Sequence, residues 1–287
     1  MECLNLMRKV QTRKIHAHSN KTDTQIHWIP CGKCVNCMIN RQNNWLFRIE
    51  AEHKSSDNAH FVTLTYNNEN VPQKVNQDTG EIINTLDYQD VQKYMKRLRK
   101  GSKKPIKHYT VGEYGEENQR PHYHQIIFNA EEENIKKTWD KGFSLVGTVT
   151  AASIRYVTKY MGKRISNTPD GAEKPKNVMS QGIGKSYLKN ENILHHKENL
   201  IDTLTNEGGN KIALPRYYKD KIFSNEEKRT LNIINKVKSN ADLKHLQDSC
   251  VSHEKFDFEI STRIREKEAR ARSLERRKHK HSKSKDT

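Results

Sequence analysis

The chain has 287 residues, with 52 Lys and Arg against 35 Asp and Glu, a formal charge of +17 and a pI near 9.5. Hydrophobic residues make up 33% and the mean hydropathy is −1.02. No apolar run of about 18 residues occurs, which excludes a helical membrane span. So basic a chain calls for a polyanionic partner, nucleic acid first, although a lysine-rich solvated surface has the same composition. The N-terminus lacks an apolar signal core. The five cysteines (Cys3, Cys31, Cys34, Cys37, Cys250) are odd in number, so a reducing compartment is expected and a disulfide framework is not.

Residues 1–30 are mixed and basic, in keeping with short strands. Cys31, Cys34 and Cys37 then follow at C-x2-C-x2-C spacing. Two readings stand: a soft metal ion, structural Zn²⁺ by its preference for tetrahedral thiolates, with Cys3 as a fourth ligand; or reduced thiols at a helix start. Met38, Trp45, Leu46 and Ile49 recur near helical spacing and predict a helix over 38–54. His60–Tyr66 alternates and is rich in β-branched residues, a strand with Phe61 or Val62 facing a core. Asn67–Asn70 breaks it, and 71–84 reads as a loop turning at Asp78-Thr79-Gly80. Asp87 can cap a helix over 88–100 with Val91, Tyr94, Met95 and Leu98 as its apolar stripe and Gly101 at C′. Its other face carries Lys93, Lys96, Arg97, Arg99 and Lys100, which suits either a phosphate or plain solvent.

Lys107–Glu113 reads as a strand ending in Gly112-Glu113-Tyr114-Gly115. A short polar connection leads to Arg120-Pro121-His122-Tyr123-His124 and the apolar run Ile126–Phe128, a second strand and so a hairpin. Residues two apart on a strand share a face, so His122 and His124 project together and Tyr123 opposes them. Three His-x-His pairs occur (16/18, 122/124 and 279/281), but only the middle one lies in a strand context. Glu113 at the turn end of its strand can approach both imidazoles. Two nitrogens, one carboxylate and open positions suit Mg²⁺ or Mn²⁺ engaging a phosphate oxygen.

Glu131–Trp139 reads as a short helix and Gly142–Thr150 as a strand. Ala151–Lys163 reads as a helix with Ile154, Val157 and Met161 on one face. Tyr156, Lys159, Tyr160 and Lys163 fall at i, i+3, i+4 and i+7 on another. Paired tyrosines at this spacing are ordinary packing residues; opposite a metal site they are candidate nucleophiles. Ser180–Ser186 contains Gly182 and Gly184 but lacks the spacing of a nucleotide-binding P-loop, so a glycine-rich turn near DNA is the milder reading. Leu214–Lys219 is basic with aromatics and suits nucleic-acid contact. Ser224 can cap a helix over 225–240 with Leu231, Ile234 and Val237 as its stripe. From Arg263 to Lys285 there are 11 Lys/Arg against 3 Glu, a helical, then disordered tail able to hold nucleic acid non-specifically.

Taken together, these segments resemble the replication initiation proteins of the Microviridae, small single-stranded DNA phages, with the gokushovirus branch nearest. These belong to the endonucleases with a His-hydrophobic-His (HUH) motif. The resemblance rests on Pro-Cys-Gly-Lys-Cys-Val-Asn-Cys at 30–37, Arg41-Gln42 with Trp45, Phe-Val-Thr-Leu-Thr-Tyr at 61–66 and Gly-Glu-Tyr-Gly at 112–115. It continues through Arg-Pro-His-Tyr-His at 120–124, Tyr-Val-Thr-Lys-Tyr at 156–160, Gly-Ile-Gly-Lys at 182–185 and Leu-Pro-Arg-Tyr-Tyr-Lys at 214–219.

The resemblance implies an α+β fold, an antiparallel sheet flanked by helices (RRM-like), with a helical basic C-terminal extension. It implies a nicking and joining enzyme for rolling-circle replication that acts on single-stranded DNA at a viral origin. Tyr156 and Tyr160 would be the nucleophile pair and His122 and His124 the metal ligands. Glu113 as third ligand follows from the hairpin geometry and from related initiators. Lys159 would stabilise the phenolate or organise the phosphate, and Arg216, Lys163 and Lys185 are expected to contact DNA. The released 3′-OH would pass to the host polymerase and helicase in the bacterial cytoplasm. The expected layout is an N-terminal segment with the cysteines (1–37), the endonuclease domain (38–223) and the tail (224–287). The rival readings are a zinc-stabilised nucleic-acid-binding protein without activity, and a transposase or relaxase of the same superfamily.

Overall fold

In the computed structural model the described residues are 6–14, 22–159, 168–205, 209, 211–248 and scattered positions from 255 to 269. In chain order they form the strands β1 (Leu6–Lys14) and β2 (Thr22–Pro30), helix α1 (Val35–Ser55), β3 (Ala59–Tyr66), the short strands β4 (Gln73–Val75) and β5 (Ile82–Asn84), and α2 (Tyr88–Lys100). Then come β6 (Lys107–Tyr114), β7 (Pro121–Phe128), α3 (Glu132–Thr138), β8 (Gly142–Thr148), α4 (Ala151–Lys159) and β9 (Asn177–Met179). A 3-10 turn (Lys185–Tyr187), α5 (Asn190–Glu198), β10 (Thr203–Thr205), β11 (Lys211–Ala213), α6 (Arg216–Ile222) and α7 (Asn225–Asp248) follow. No described helix is long and apolar enough to cross a membrane.

The chain divides into two compact units, 41–189, and 1–40 with 190–287. The expected endonuclease domain ran to 223, so the two divisions differ by the stretch 190–222.

The unit 41–189 is built on a five-stranded antiparallel sheet of order β8-β3-β7-β6-β9. This is the α+β architecture expected. The alternation of β3, β6 and β7 sends side chains to both faces, and both are covered. On one face Val62, Leu64, Tyr66, Tyr123 and Ile127 pack against α2 and α3 through Val91, Tyr94, Met95, Leu98 and Ile135. On the other Tyr109, Val111, Ile126 and Phe128 pack against Ile49 of α1 and Ile154 and Val157 of α4. The interdigitated apolar area on the two faces is the main stabilising term, at roughly 25 cal/mol per Å² removed from water.

Helix α2 starts as its sequence dictates: Asp87 has extended backbone and its carboxylate accepts from the Gln89 amide at 2.8 Å. Tyr123, between the two histidines, secures the same corner: its hydroxyl accepts from the Asp87 amide and donates to the Asp87 carbonyl, each at 2.8 Å. Gly112 lies where α2 approaches the sheet, and a Cβ there would stand 2.5 Å from the Tyr88 hydroxyl. That close approach explains the glycine.

Several expectations need correction. Residues 71–84 are not a plain loop: β4 and β5 pair antiparallel about the Asp78–Gly80 turn. Both strands are short and largely exposed, so no alternation marked them. Gly101 ends α2 with φ −96°, an ordinary conformation rather than the left-handed cap that favours glycine. The Gly182–Gly184 turn is a packing element: Ile183 is fully buried, and the Gly184 amide donates to the buried Glu52 carboxylate, which also binds the Lys107 ammonium at 2.7 Å.

In the other unit β1 and β2 form a two-stranded sheet, and α5, α6 and α7 bury Leu214, Tyr218, Ile222, Phe223 and Leu231. The Leu214–Lys219 segment is therefore only partly available to a ligand, with Tyr218 in the core and Lys219 paired to Asp202 at 2.6 Å. Ser224 and Glu227 form a reciprocal capping box at the start of α7 (2.6 and 3.1 Å). Only Leu231 of its expected stripe is buried; Val237 is exposed.

Candidate active site

The site grows from strand register. Glu113 of β6 stands directly opposite His122 of β7, and Val111 stands opposite His124. Glu113, His122 and His124 therefore share one sheet face, and their ligand atoms all lie within 4.8 Å of one another. Glu113 Oε2 is 3.8 Å from His122 Nε2 and 4.0 Å from His124 Nε2. The side chains are recessed but reachable, at 11%, 21% and 11% exposed for Glu113, His122 and His124.

Each imidazole is oriented by a contact at its far nitrogen. His122 Nδ1 donates to the Arg120 carbonyl at 3.1 Å, and His124 Nδ1 bonds the Thr63 hydroxyl at 3.0 Å. Both Nε2 atoms are thereby turned to Glu113. The His124 ring also stacks on Phe61, with centroids 5.7 Å apart and planes within 7°. Burial holds both histidines below the usual range, His124 to about 3 with His122 adding to the effect. Neutral imidazoles are the form that ligates a metal. The donor set of two nitrogens and one carboxylate oxygen thus fits a divalent ion such as Mn²⁺ or Mg²⁺, with positions left for substrate oxygens.

Tyr156 comes to this face from α4. Ile154 and Val157 anchor the helix in the core, and the Tyr156 hydroxyl reaches 3.4 Å from His124 Nε2. Its ring meets His124 edge-on at 4.9 Å and Phe61 at 6.2 Å. Lys159, one turn on, places its ammonium 5.9 Å from the Tyr156 ring centre. Gln42 of α1 ties the helix down through the Arg155 carbonyl at 3.4 Å. Tyr160, Lys163 and Cys3 lie outside the described residues. Lys185 is exposed beside the glycine turn. Arg216, in the other unit, is exposed and pairs with Asp220 at 3.3 Å. Cys31, Cys34 and Cys37 also come together, at the start of α1.

Sequence reasoning missed Thr63 and Phe61 as partners of His124. Their only signal was the alternation of 61–65, and which strand they face depends on register that no local pattern carries.

Residues 59–165, the stretch that carries the trio and Tyr156, match the replication-associated protein ORF2 family. The chain is a relative of phage replication-associated proteins. It is 29% identical to replication-associated protein ORF2 of Spiroplasma virus 4 over 221 residues, 66% of each chain. It is 28% identical to replication-associated protein VP4 of Bdellovibrio phage phiMH2K, over 73% of this chain and 72% of that one. Against replication-associated protein ORF4 of Chlamydia phage 1 the figures are 26%, 67% and 53%. The chain thus spans just under two thirds of the first relative and about half of the third. The resemblance to Microviridae replication proteins read from the motifs is the one these relatives display. No solved structure matches the chain.

Proposed function

We propose that this chain nicks and rejoins single-stranded DNA at a phage replication origin, with Tyr156 attacking the scissile phosphate and Tyr160 serving as the second nucleophile. One observation carries the reading: the Tyr156 hydroxyl lies 3.4 Å from His124 Nε2, at the edge of the cup where both histidines face Glu113. A phenol delivered to a metal-type donor set fits attack on a phosphate held there. The replication-associated relatives support the biological setting.

Attack forms a bond between the Tyr156 oxygen and phosphorus and breaks the bond to the 3′ oxygen. The phenol proton ends on the released 3′-OH, and the 5′ end stays on the tyrosine. One phosphodiester replaces another, so rejoining by the reverse attack requires no nucleotide cofactor. A Mg²⁺ or Mn²⁺ ion held by His122, His124 and Glu113 would supply charge neutralisation at the non-bridging phosphate oxygens. Lys159 brings positive charge beside the developing phenolate. The freed 3′-OH would be extended by host polymerase and helicase in the host cytoplasm.

The open end of this sheet face suits a single strand. Thr65 is flanked in register by His122 and Phe143, and Thr63 by His124 and Leu145, so these two apolar side chains lie on the histidines' face. Phe143 and Leu145 are 72% and 73% exposed on the edge strand β8, a surface on which unpaired bases stack.

The test is a nicking assay on labelled single-stranded origin DNA with Mn²⁺, resolved on a denaturing gel with and without protease. Wild type is expected to form a protease-sensitive adduct that the Tyr156→Phe, Tyr160→Phe double variant lacks. Binding of intact cognate DNA with no adduct, by folded protein, would sink this reading and leave a DNA-binding module.

A further inference from the structure

The cysteine cluster is not used by the chemistry above, yet its geometry is that of a built site. The three sulfurs lie within 4.8 Å of one another, and none is in a disulfide. Cys31 Sγ accepts two backbone amides, from Lys33 at 3.4 Å and Cys34 at 3.3 Å. Gly32 makes that turn possible with φ +70°, a conformation that disfavours a side chain. The Cys34 carbonyl takes the first helical bond, from Met38 at 3.0 Å, so Cys34 caps α1 and Cys37 sits three residues on, in the first turn. Two thiols thus lie at the positive end of a helix and the third receives two N–H groups. Every one of these features favours thiolate over thiol.

We propose that Cys31, Cys34 and Cys37 hold one structural Zn²⁺. Sulfur-only ligation by a short loop selects a soft, tetrahedral ion over the hard ions that suit a His-His-Glu set. Among the described residues no further His, Cys, Asp or Glu joins the three, so the remaining position is filled from elsewhere. The ion ties the end of β2 at Pro30 to the first turn of α1. An isolated two-stranded sheet is marginal in water, and β1–β2 gains a fixed foot.

The experiment measures zinc in the full chain purified without added metal, together with release to a chelating dye as a mercurial titrates the thiols. One zinc per chain, released in step with thiol modification, is expected. The His122→Ala, His124→Ala double variant should keep this zinc, and Cys37→Ser should lose it while Cys250→Ser does not. Cobalt(II) added to reduced apoprotein should give a thiolate-to-cobalt charge-transfer band in wild type and in the histidine variant. Should Cys37→Ser fail to fold, the thiol count of native wild type decides instead: three more thiols should react after chelation than before. A zinc-free chain with no thiolate band on cobalt, or zinc that follows the histidines and ignores the cysteines, overturns the proposal. None of these readouts depends on nicking, so failure here and failure of the proposed activity are separate results.

Discussion

Thr63 is the residue on which the site's alignment most visibly depends. Its hydroxyl is the partner of His124 Nδ1, and through that bond it fixes which nitrogen faces Glu113 and Tyr156. Removing such a supporting contact to a metal-ligating histidine typically costs 10- to 100-fold in metal affinity or activity. Thr63→Val, which keeps the shape and removes the hydroxyl, should lower the nicking rate by about that factor. Part of the loss should return at high Mn²⁺, and thermal stability should change little. A variant with wild-type kinetics at every Mn²⁺ concentration would show that Phe61 stacking alone orients the ring.

At the scale of elements, β6 and β8 make opposite demands. Gly112 of β6 is pressed against α2, with no room for a Cβ beside Tyr88 and Leu86. Gly112→Ala should destabilise by about 1–3 kcal/mol, read as a shift in urea midpoint at constant m-value. Phe143 of β8 faces outward, so Phe143→Ala should leave that midpoint in place. It should weaken single-stranded DNA binding by about 1–3 kcal/mol, measured by fluorescence anisotropy with a non-cleavable substrate. The sequence made some elements plain and hid others for physical reasons. Helix α2 was legible from Asp87 and its stripe because capping and amphipathicity are local. The pair His122 and His124 was legible because period two is local, and Glu113 because one hairpin brings it across. The β4–β5 hairpin was hidden because three exposed residues per strand leave no alternation. Val237 misled because an apolar residue at helical spacing need not meet a partner.

For the molecule as a whole, buried neutral histidines tie folding to pH. Burial, with Arg99 nearby, holds His108 at about 4, and burial holds His124 at about 3. The unfolded chain would protonate both near 6.5, so between that value and the folded values it binds more protons than the native state. Stability is then fully present above about pH 6.5 and falls as the pH drops toward 4, by roughly 3 kcal/mol for a shift the size of that at His108. Melting temperature measured from pH 7 to 4 should decline, and His108→Gln should flatten part of that decline. An identical profile in the variant would assign the acid sensitivity to other groups.

The strand β7 carries two kinds of information in alternate letters. His122 and His124 face the chemistry, while Tyr123 holds the start of α2 and Gln125 lies wholly inside the protein. A saturation scan of residues 121–125 would therefore find nearly every position intolerant, and activity alone would not separate them. Cellular abundance of each variant would: substitutions at 122 and 124 should leave abundant, inactive protein, while those at 123 should deplete it. The same parity extends to Glu113 between Gly112 and Tyr114, so a short motif in this chain is two interleaved constraints, one on catalysis and one on assembly.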